Sequence, residues 1–239
     1  MGASSNTLPD RGAAARSVAP ETPTLLPRIH LARGLIVVPS DPESPPVPAV
    51  DGSGEPVDVF DVADSLFRQY PGIYVVDLDG VLHGRPQFDL LQEIPHGHEM
   101  WVEAGPRSVD QVMDVLVAGG TMAVVPAATD RAWREIPSIL QITDRFVVEV
   151  PSPGPRALGA PDPLDPRIRT RQAFALRVPG VMLSAPETGV DWGLVRELAP
   201  TGPVYVNGGF APEEGPRLTE AGARGGIFEP RDLFEQWKT

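Results

Sequence analysis

The chain has 239 residues, no cysteine, and 32 acidic against 20 basic residues, for a formal charge of −12. That balance excludes a phosphate-backbone partner, since nucleic-acid binding needs clustered Lys and Arg to displace counterions and no basic stripe is present. The missing cysteines exclude disulfides, thiolate chemistry and Cys-ligated metals, and the length suits one α/β barrel as well as two small domains.

In chain order, residues 1–24 are rich in Ala, Ser, Pro and Thr and lack the apolar stretch of a signal peptide, so they read as a disordered tail. No apolar run is long enough to span a bilayer, and the chain as a whole fits a cytoplasmic protein. From Leu25 onward, short Val/Ile/Leu-rich runs alternate with segments of helical period, the order of a parallel sheet with crossover helices. The strands are expected at 29–38, 73–78, 99–103, 121–125, 145–150, 180–184, 203–207 and 225–228. Val109, Val112, Met113 and Leu116 fall at i, i+3, i+4 and i+7, with Ser108 as N-cap and Gly119 as stop. Asp191 caps a second such helix, and Pro212, Glu213 and Glu214 open a third. Eight units of about 27 residues are what a (β/α)8 barrel needs, so residues 25–239 read as one TIM-type barrel domain, with an open doubly wound sheet as the alternative.

In a barrel of this kind, chemistry sits at the carboxyl ends of the strands. The second strand ends in Asp77, Leu78, Asp79 and Gly80, and period-two alternation puts both carboxylates on one face. Burial against the outer helices would cost an unpaired carboxylate several kcal/mol, which argues that they point to the polar mouth of the lumen. There they serve either as site residues or as acceptors that pin the neighbouring loops. Two carboxylates without a third ligand make no metal site, and His83, His96 and His98 match no metal-binding spacing. Two long proline-rich segments, 39–58 and 151–166, follow the first and fifth strands and have the length of lids or inert excursions.

VVDLDG at 75–80, EAGPRSVDQV at 103–112 and VNGGFAPEEGPRLTEAG at 206–222 resemble, in order and spacing, the VDLDGA, GGGIRS and SGGV segments of the HisA family. That family contains the phosphoribosylformimino-5-aminoimidazole carboxamide ribotide isomerases of histidine biosynthesis, barrels of the ribulose-phosphate-binding type. The resemblance runs from about Leu26 to Leu233. It implies a general acid/base pair on strands one and five, where this chain has His30 and Glu149 instead of two aspartates. It also implies anion contacts at Gly105, Arg107, Gly208 and Gly209, and a polar mouth built from Asp77, Asp79, Ser184 and Asn207. The phosphate grips are altered: Pro126 and Ala127 stand where a Gly-Thr pair is expected after strand four, and Glu229 stands where a glycine is expected after strand eight, beside the retained Gly208 and Gly209. The resemblance therefore implies a diverged barrel acting on, or binding, a small phosphorylated metabolite by isomerase-type chemistry without a cofactor. Barrels of this diverged kind are associated with methanopterin-linked one-carbon metabolism. The alternatives are a non-catalytic binding barrel and the histidine-pathway isomerase itself; the oligomeric state is not legible.

Overall fold

The computed structural model describes residues 22–38, 45–127, 130–151, 165–186 and 189–230. The chain opens with β1 (Thr24–Ala32), which turns back into β2 (Leu35–Val38) and then β3 (Val47–Pro48). Helix α1 (Val59–Phe67) leads to β4 (Gly72–Asp77), followed by two short helices, α2 (Leu78–His83) and α3 (Phe88–Glu93). Strand–helix units then follow: β5 (Glu99–Glu103) with α4 (Val109–Val117), β6 (Met122–Pro126) with α5 (Asp130–Leu140), and β7 (Phe146–Pro151) with α6 (Pro166–Ala175). The last are β8 (Val181–Ser184) with α7 (Trp192–Leu198), β9 (Val204–Asn207) with α8 (Gly215–Ala221), and β10 (Gly225–Phe228).

Strands β1 and β4 to β10 pair in sequence, all parallel, and β10 pairs back onto β1 with Thr24 opposite Gly225 and Pro27 opposite Phe228. The result is a closed eight-stranded parallel barrel with helices between the strands, and the open-sheet alternative falls away. Closure creates two apolar layers from one alternating pattern. Ile73, Val75, Val102, Val125 and Val148 face outward and pack against helix residues such as Val112, Leu116, Ile136 and Leu194. Leu26, Tyr74, Val76, Trp101, Val124, Val147, Met182 and Ile227 fill the lumen. Each fully buried aliphatic or aromatic side chain contributes about 1.5–3 kcal/mol of transfer free energy, so both layers are needed. Among the described residues no helix is long and apolar enough to cross a membrane.

The expected helix at 109–116 forms as α4, with the Ser108 hydroxyl accepting from the Gln111 N–H, and Asp191 caps α7 through the Leu194 N–H. Three expectations need correction. Thr24 belongs to β1 rather than to a tail, of which residues 1–21 lie outside the described residues. The expected first strand, 29–38, is instead a hairpin, because Arg33 (φ 52°) and Gly34 (φ 78°) adopt the consecutive left-handed conformations of a two-residue turn. Leu78 starts α2 rather than ending β4. Residues 39–44, the start of the first proline-rich segment, and 152–164, most of the second, also lie outside the described residues.

Strand β1 divides its partners. Its first half pairs with β10, whereas His30, Leu31 and Ala32 pair antiparallel with β2, which carries β3 beyond it. The hairpin thus rises from the carboxyl-terminal rim between β1 and β10.

At the amino-terminal end of β4, Gly72 lies where a β-carbon would stand 2.2 Å from the Glu99 carbonyl oxygen and 2.5 Å from the Glu99 β-carbon. Those atoms belong to the neighbouring strand and cannot rotate away. We expect Gly72→Ala to cost about 1–3 kcal/mol in urea unfolding; an unchanged midpoint would show that the β4–β5 seam relaxes freely.

Candidate active site

Period-two alternation decides which polar residues enter the lumen. On β1, Leu26 lies in the lumen cluster and Ile29 and Leu31 in the outer one, so Arg28 and His30 share the inward parity. The same reasoning turns Tyr74 and Val76 inward on β4, Glu103 on β5, Glu149 on β7, Ser184 on β8 and Asn207 on β9. These side chains come from six of the eight strands and gather toward the carboxyl-terminal half of the barrel.

A partly buried guanidinium ties them together. The Arg28 Nη2 donates to Asn207 Oδ1, its Nη1 forms an ion pair with Glu229 at 2.9 Å, and its plane lies over the Tyr74 ring, 5.8 Å from the centroid. Asn207 passes the link on, donating from Nδ2 to Glu149 Oε1 at 3.3 Å, and the Ser184 hydroxyl donates to the same oxygen. On the other side the Tyr74 hydroxyl donates to Glu103 Oε2 at 2.7 Å. The Arg28 Nε is buried and has no hydrogen-bond partner among the described residues. A buried donor without an acceptor is costly in a native fold and marks a place where a ligand oxygen would be welcome.

The electrostatics separate the roles of these groups. Burial, reinforced by the Glu149 charge, raises the Glu103 carboxyl from 4.5 to about 7, against the Tyr74 hydrogen bond and Arg28. Glu103 therefore keeps its proton to higher pH than an ordinary carboxyl, which brings it toward the range in which a carboxyl group both takes and returns a proton. Burial, with the Arg28 charge adding to it, lowers the His30 imidazole from 6.5 to about 4, so His30 is neutral at pH 7. Burial also raises the Tyr74 phenol well above its ordinary value, which keeps it a donor to Glu103.

The expected pair, His30 and Glu149, thus lies on the lumen side together with Ser184 and Asn207. The pair Asp77 and Asp79 does not line the lumen. Asp77 has the parity of Ile73 and Val75, is fully buried, and faces the helix layer. Its carboxylate is satisfied there by the Gly80 N–H (3.1 Å), the Gln87 N–H (2.6 Å) and the Gln87 side-chain amide (3.2 Å). Asp79 sits in the first turn of α2 and accepts from the Arg33 N–H at 2.6 Å. Both act as loop-pinning acceptors, since three donors offset the desolvation cost that argued for the mouth.

The expected anion contacts lie around the rim. Gly208 (φ 77°) and Gly209 (φ 75°) make the turn after β9, and a β-carbon on Gly208 would stand 3.0 Å from the Arg28 guanidinium. The Gly208 N–H donates to the Ile227 carbonyl at 2.7 Å, so it is committed to the barrel ladder rather than to an anion. Gly105 (φ 69°) packs against the Val81 backbone, and Arg107 is exposed beside the N-terminus of α4. No group of three or more His, Asp or Glu side chains among the described residues could hold a metal ion.

Arg28 and Tyr74 are site residues that motif reading passes over, and Glu229, legible there only as a replaced glycine, is the ion-pair partner of Arg28. The parity of His30 is the signal that would have found Arg28, two residues earlier on the same strand. Glu103 is visible in the sequence only as a carboxylate intruding on a glycine segment; its raised proton affinity depends on burial beside Glu149. The chain matches no protein-family model, and none of the curated proteins matches it either.

The two shifted groups give the fold opposite pH slopes. Glu103, raised when folded, contributes stability present below pH 4.5 and lost as pH rises to about 7, because the native state binds its proton more tightly than the unfolded chain. His30, lowered when folded, contributes stability present above pH 6.5 and lost as pH falls to about 4. Each slope is bounded by about 1.4 kcal/mol per pH unit. We expect Glu103→Gln to be stabilising relative to the wild type at pH 8 and much less so at pH 4.5, as read by urea unfolding. A difference independent of pH would mean that Glu103 titrates normally.

Proposed function

We propose that this barrel is a general acid/base enzyme that moves a proton between adjacent carbons of a small phosphorylated carbonyl or amino-sugar metabolite, in the manner of a diverged HisA-like isomerase. The observation that carries the reading is the placement of Glu103: a lumen carboxyl at the carboxyl-terminal half of the barrel, hydrogen-bonded by the Tyr74 hydroxyl and raised above the ordinary carboxyl range by burial beside Glu149. In its ionised form Glu103 takes the proton from the carbon next to the carbonyl or iminium group. The electron pair moves onto the neighbouring oxygen or nitrogen, the proton of the adjacent hydroxyl passes to that atom as the new carbonyl forms, and the protonated Glu103 returns its proton to the adjacent carbon, so the net reaction is an isomerisation with no co-reactant.

The remaining side chains are suited to the charge that develops. The Arg28 guanidinium, with its unpartnered Nε, stabilises an oxyanion, and neutral His30 donates a hydrogen bond without competing as a base. Glu149, fixed by Ser184 and Asn207, orients Arg28 through Asn207 and keeps Glu103 proton-hungry. This assignment moves the proton-carrying role from the pair His30 and Glu149 to Glu103. A barrel of the ribulose-phosphate-binding type would use Gly209 and its turn for a phosphate, although the Glu229–Arg28 ion pair weakens that end for a dianion.

A second reading, a binding barrel without turnover, is favoured by one observation. Arg28, Asn207, Glu149, Ser184 and Glu229 already satisfy one another, as a structural plug would.

The two readings part in deuterium oxide. Incubated with a panel of aldose, ketose and aminoaldose phosphates, the wild-type protein is expected to exchange the substrate proton next to the carbonyl, as followed by proton NMR, with a rate that rises as pH passes about 7. Glu103→Gln should slow this exchange by about 100-fold or more. Equal rates in the two proteins would remove Glu103 from the chemistry, and absence of exchange across the panel would favour the binding barrel.

A further inference from the structure

A second concavity opens on the same rim, walled by the β1–β2 turn and by the loop that leaves α2. It has a volume of about 670 Å³ and is lined by Arg33, Asp79, His83 and Arg85, a size that admits a metabolite. In a chain with 32 acidic and 20 basic residues, two guanidinium groups and an imidazole here face a single carboxylate. Neither the Arg33 nor the Arg85 guanidinium makes a hydrogen bond or ion pair among the described residues, in contrast to Arg68, Arg167, Arg171 and Arg217, which are each paired with a carboxylate.

The backbone that carries these side chains is fixed at a cost. Arg33 is one of two non-glycine residues with positive φ (52°) among those described, a conformation that an L side chain adopts at roughly 1–2 kcal/mol. Glycine would relieve that strain. The turn is nevertheless fixed on both sides: the Arg33 N–H donates to Asp79 Oδ2 at 2.6 Å, and the Gly34 N–H to the Gln87 side-chain oxygen. Gln87 in turn donates to buried Asp77. Arg85 is aimed by the end of α2, where Gly84 (φ 64°) turns the chain and the Arg85 N–H caps the Asp79 carbonyl at 3.1 Å. Strained backbone held this firmly accompanies sites of function, and here it presents an arginine to the cavity.

We infer that the cavity between Arg33, His83 and Arg85 is a phosphoryl-binding site, taking the terminal phosphate of a phosphorylated metabolite on two forked guanidinium groups. Planar guanidinium groups bind phosphate oxygens bidentately, and an imidazole adds a further donor. Asp79 is the opposing element: its charge weakens the site while its oxygen holds the Arg33 turn. The phosphate comes either from the substrate of the lumen site, which rests on the acid/base reading above, or from a separate effector, which does not.

The test is titration of the full-length protein with inorganic phosphate and pyrophosphate, followed by calorimetry and phosphorus NMR at low ionic strength. Arg33→Gly, which removes the guanidinium and suits the left-handed turn, and Arg85→Ala should each weaken binding at least tenfold without lowering the unfolding midpoint. Asp79→Asn, which keeps an oxygen for the Arg33 N–H and removes the repulsion, should tighten it several-fold. Arg68→Ala, at the C-cap of α1 and paired with Asp64, should leave it unchanged. Glu103→Gln should retain phosphate binding even where it abolishes proton exchange, so loss of one property is not loss of the other. If Arg33→Gly lowers the affinity of the lumen reaction for a phosphorylated substrate, the phosphate belongs to the substrate; if it alters only binding of free phosphate, it belongs to an effector. No binding by the wild type, or binding by Arg33→Gly and Arg85→Ala as tight as that of the wild type, overturns the inference.

Discussion

A guanidinium placed inside a closed barrel has to be compensated there, and the upper lumen is organised around that requirement. Arg28 reaches Asn207 on β9 and Glu229 just beyond β10, and it lies against Tyr74 on β4, so one side chain links elements from both sides of the β1 seam. Its positive charge makes Glu149 tolerable in the lumen, and the Glu149 charge in turn helps to raise Glu103. Replacing Arg28 by an apolar residue would leave several carboxylates in a poorly solvated space, a larger loss than that of any single hydrogen bond. The proton affinity of Glu103 is thus a property of the whole cluster rather than of its own strand.

The outer face of β4 has its own anchor. Asp77, buried among aliphatic residues, collects three donors from Gly80 and Gln87, and Gln87 passes the restraint to the Gly34 N–H. The β1–β2 turn, α2 and the start of α3 are therefore one hydrogen-bonded unit. The rim cavity is built on the segments that leave the carboxyl ends of β1 and β4, the strands that also carry Arg28, His30 and Tyr74 of the lumen cluster.

Much of this was legible in the sequence, and the gaps have physical reasons. Eight alternating units could be read because helical and strand periods differ, and Ser108 and Asp191 mark helix starts wherever they occur. The β1–β2 hairpin was not legible: its turn is Arg-Gly rather than Asn-Gly, and nothing local announces an arginine at positive φ. Asp77 was misplaced because the cost of burying a carboxylate is visible in a sequence, whereas the donors that offset it come from residues several positions away. His30, Glu149, Ser184 and Asn207 were expectations from a family resemblance, and the parity of their strands turns all four to the lumen side. Arg28 and Glu103 have the same parity, yet their importance arises from neighbours on other strands, which no single-strand pattern contains.

The way the barrel closes has a consequence for its assembly. Thr24 to Pro27 pair with Gly225 to Phe228, so the final seam joins the two extremes of the described chain. During synthesis the lower half of β1 has no partner on that side until every other strand has emerged, and the growing sheet carries open edges on β1 and on its newest strand. Such edges invite pairing with other chains, and loop-closure entropy makes the last pairing slow. The β2–β3 hairpin, formed from residues immediately following β1, covers the upper half of that edge at once. A local turn thereby acts as an early chaperone for the strand that carries Arg28 and His30.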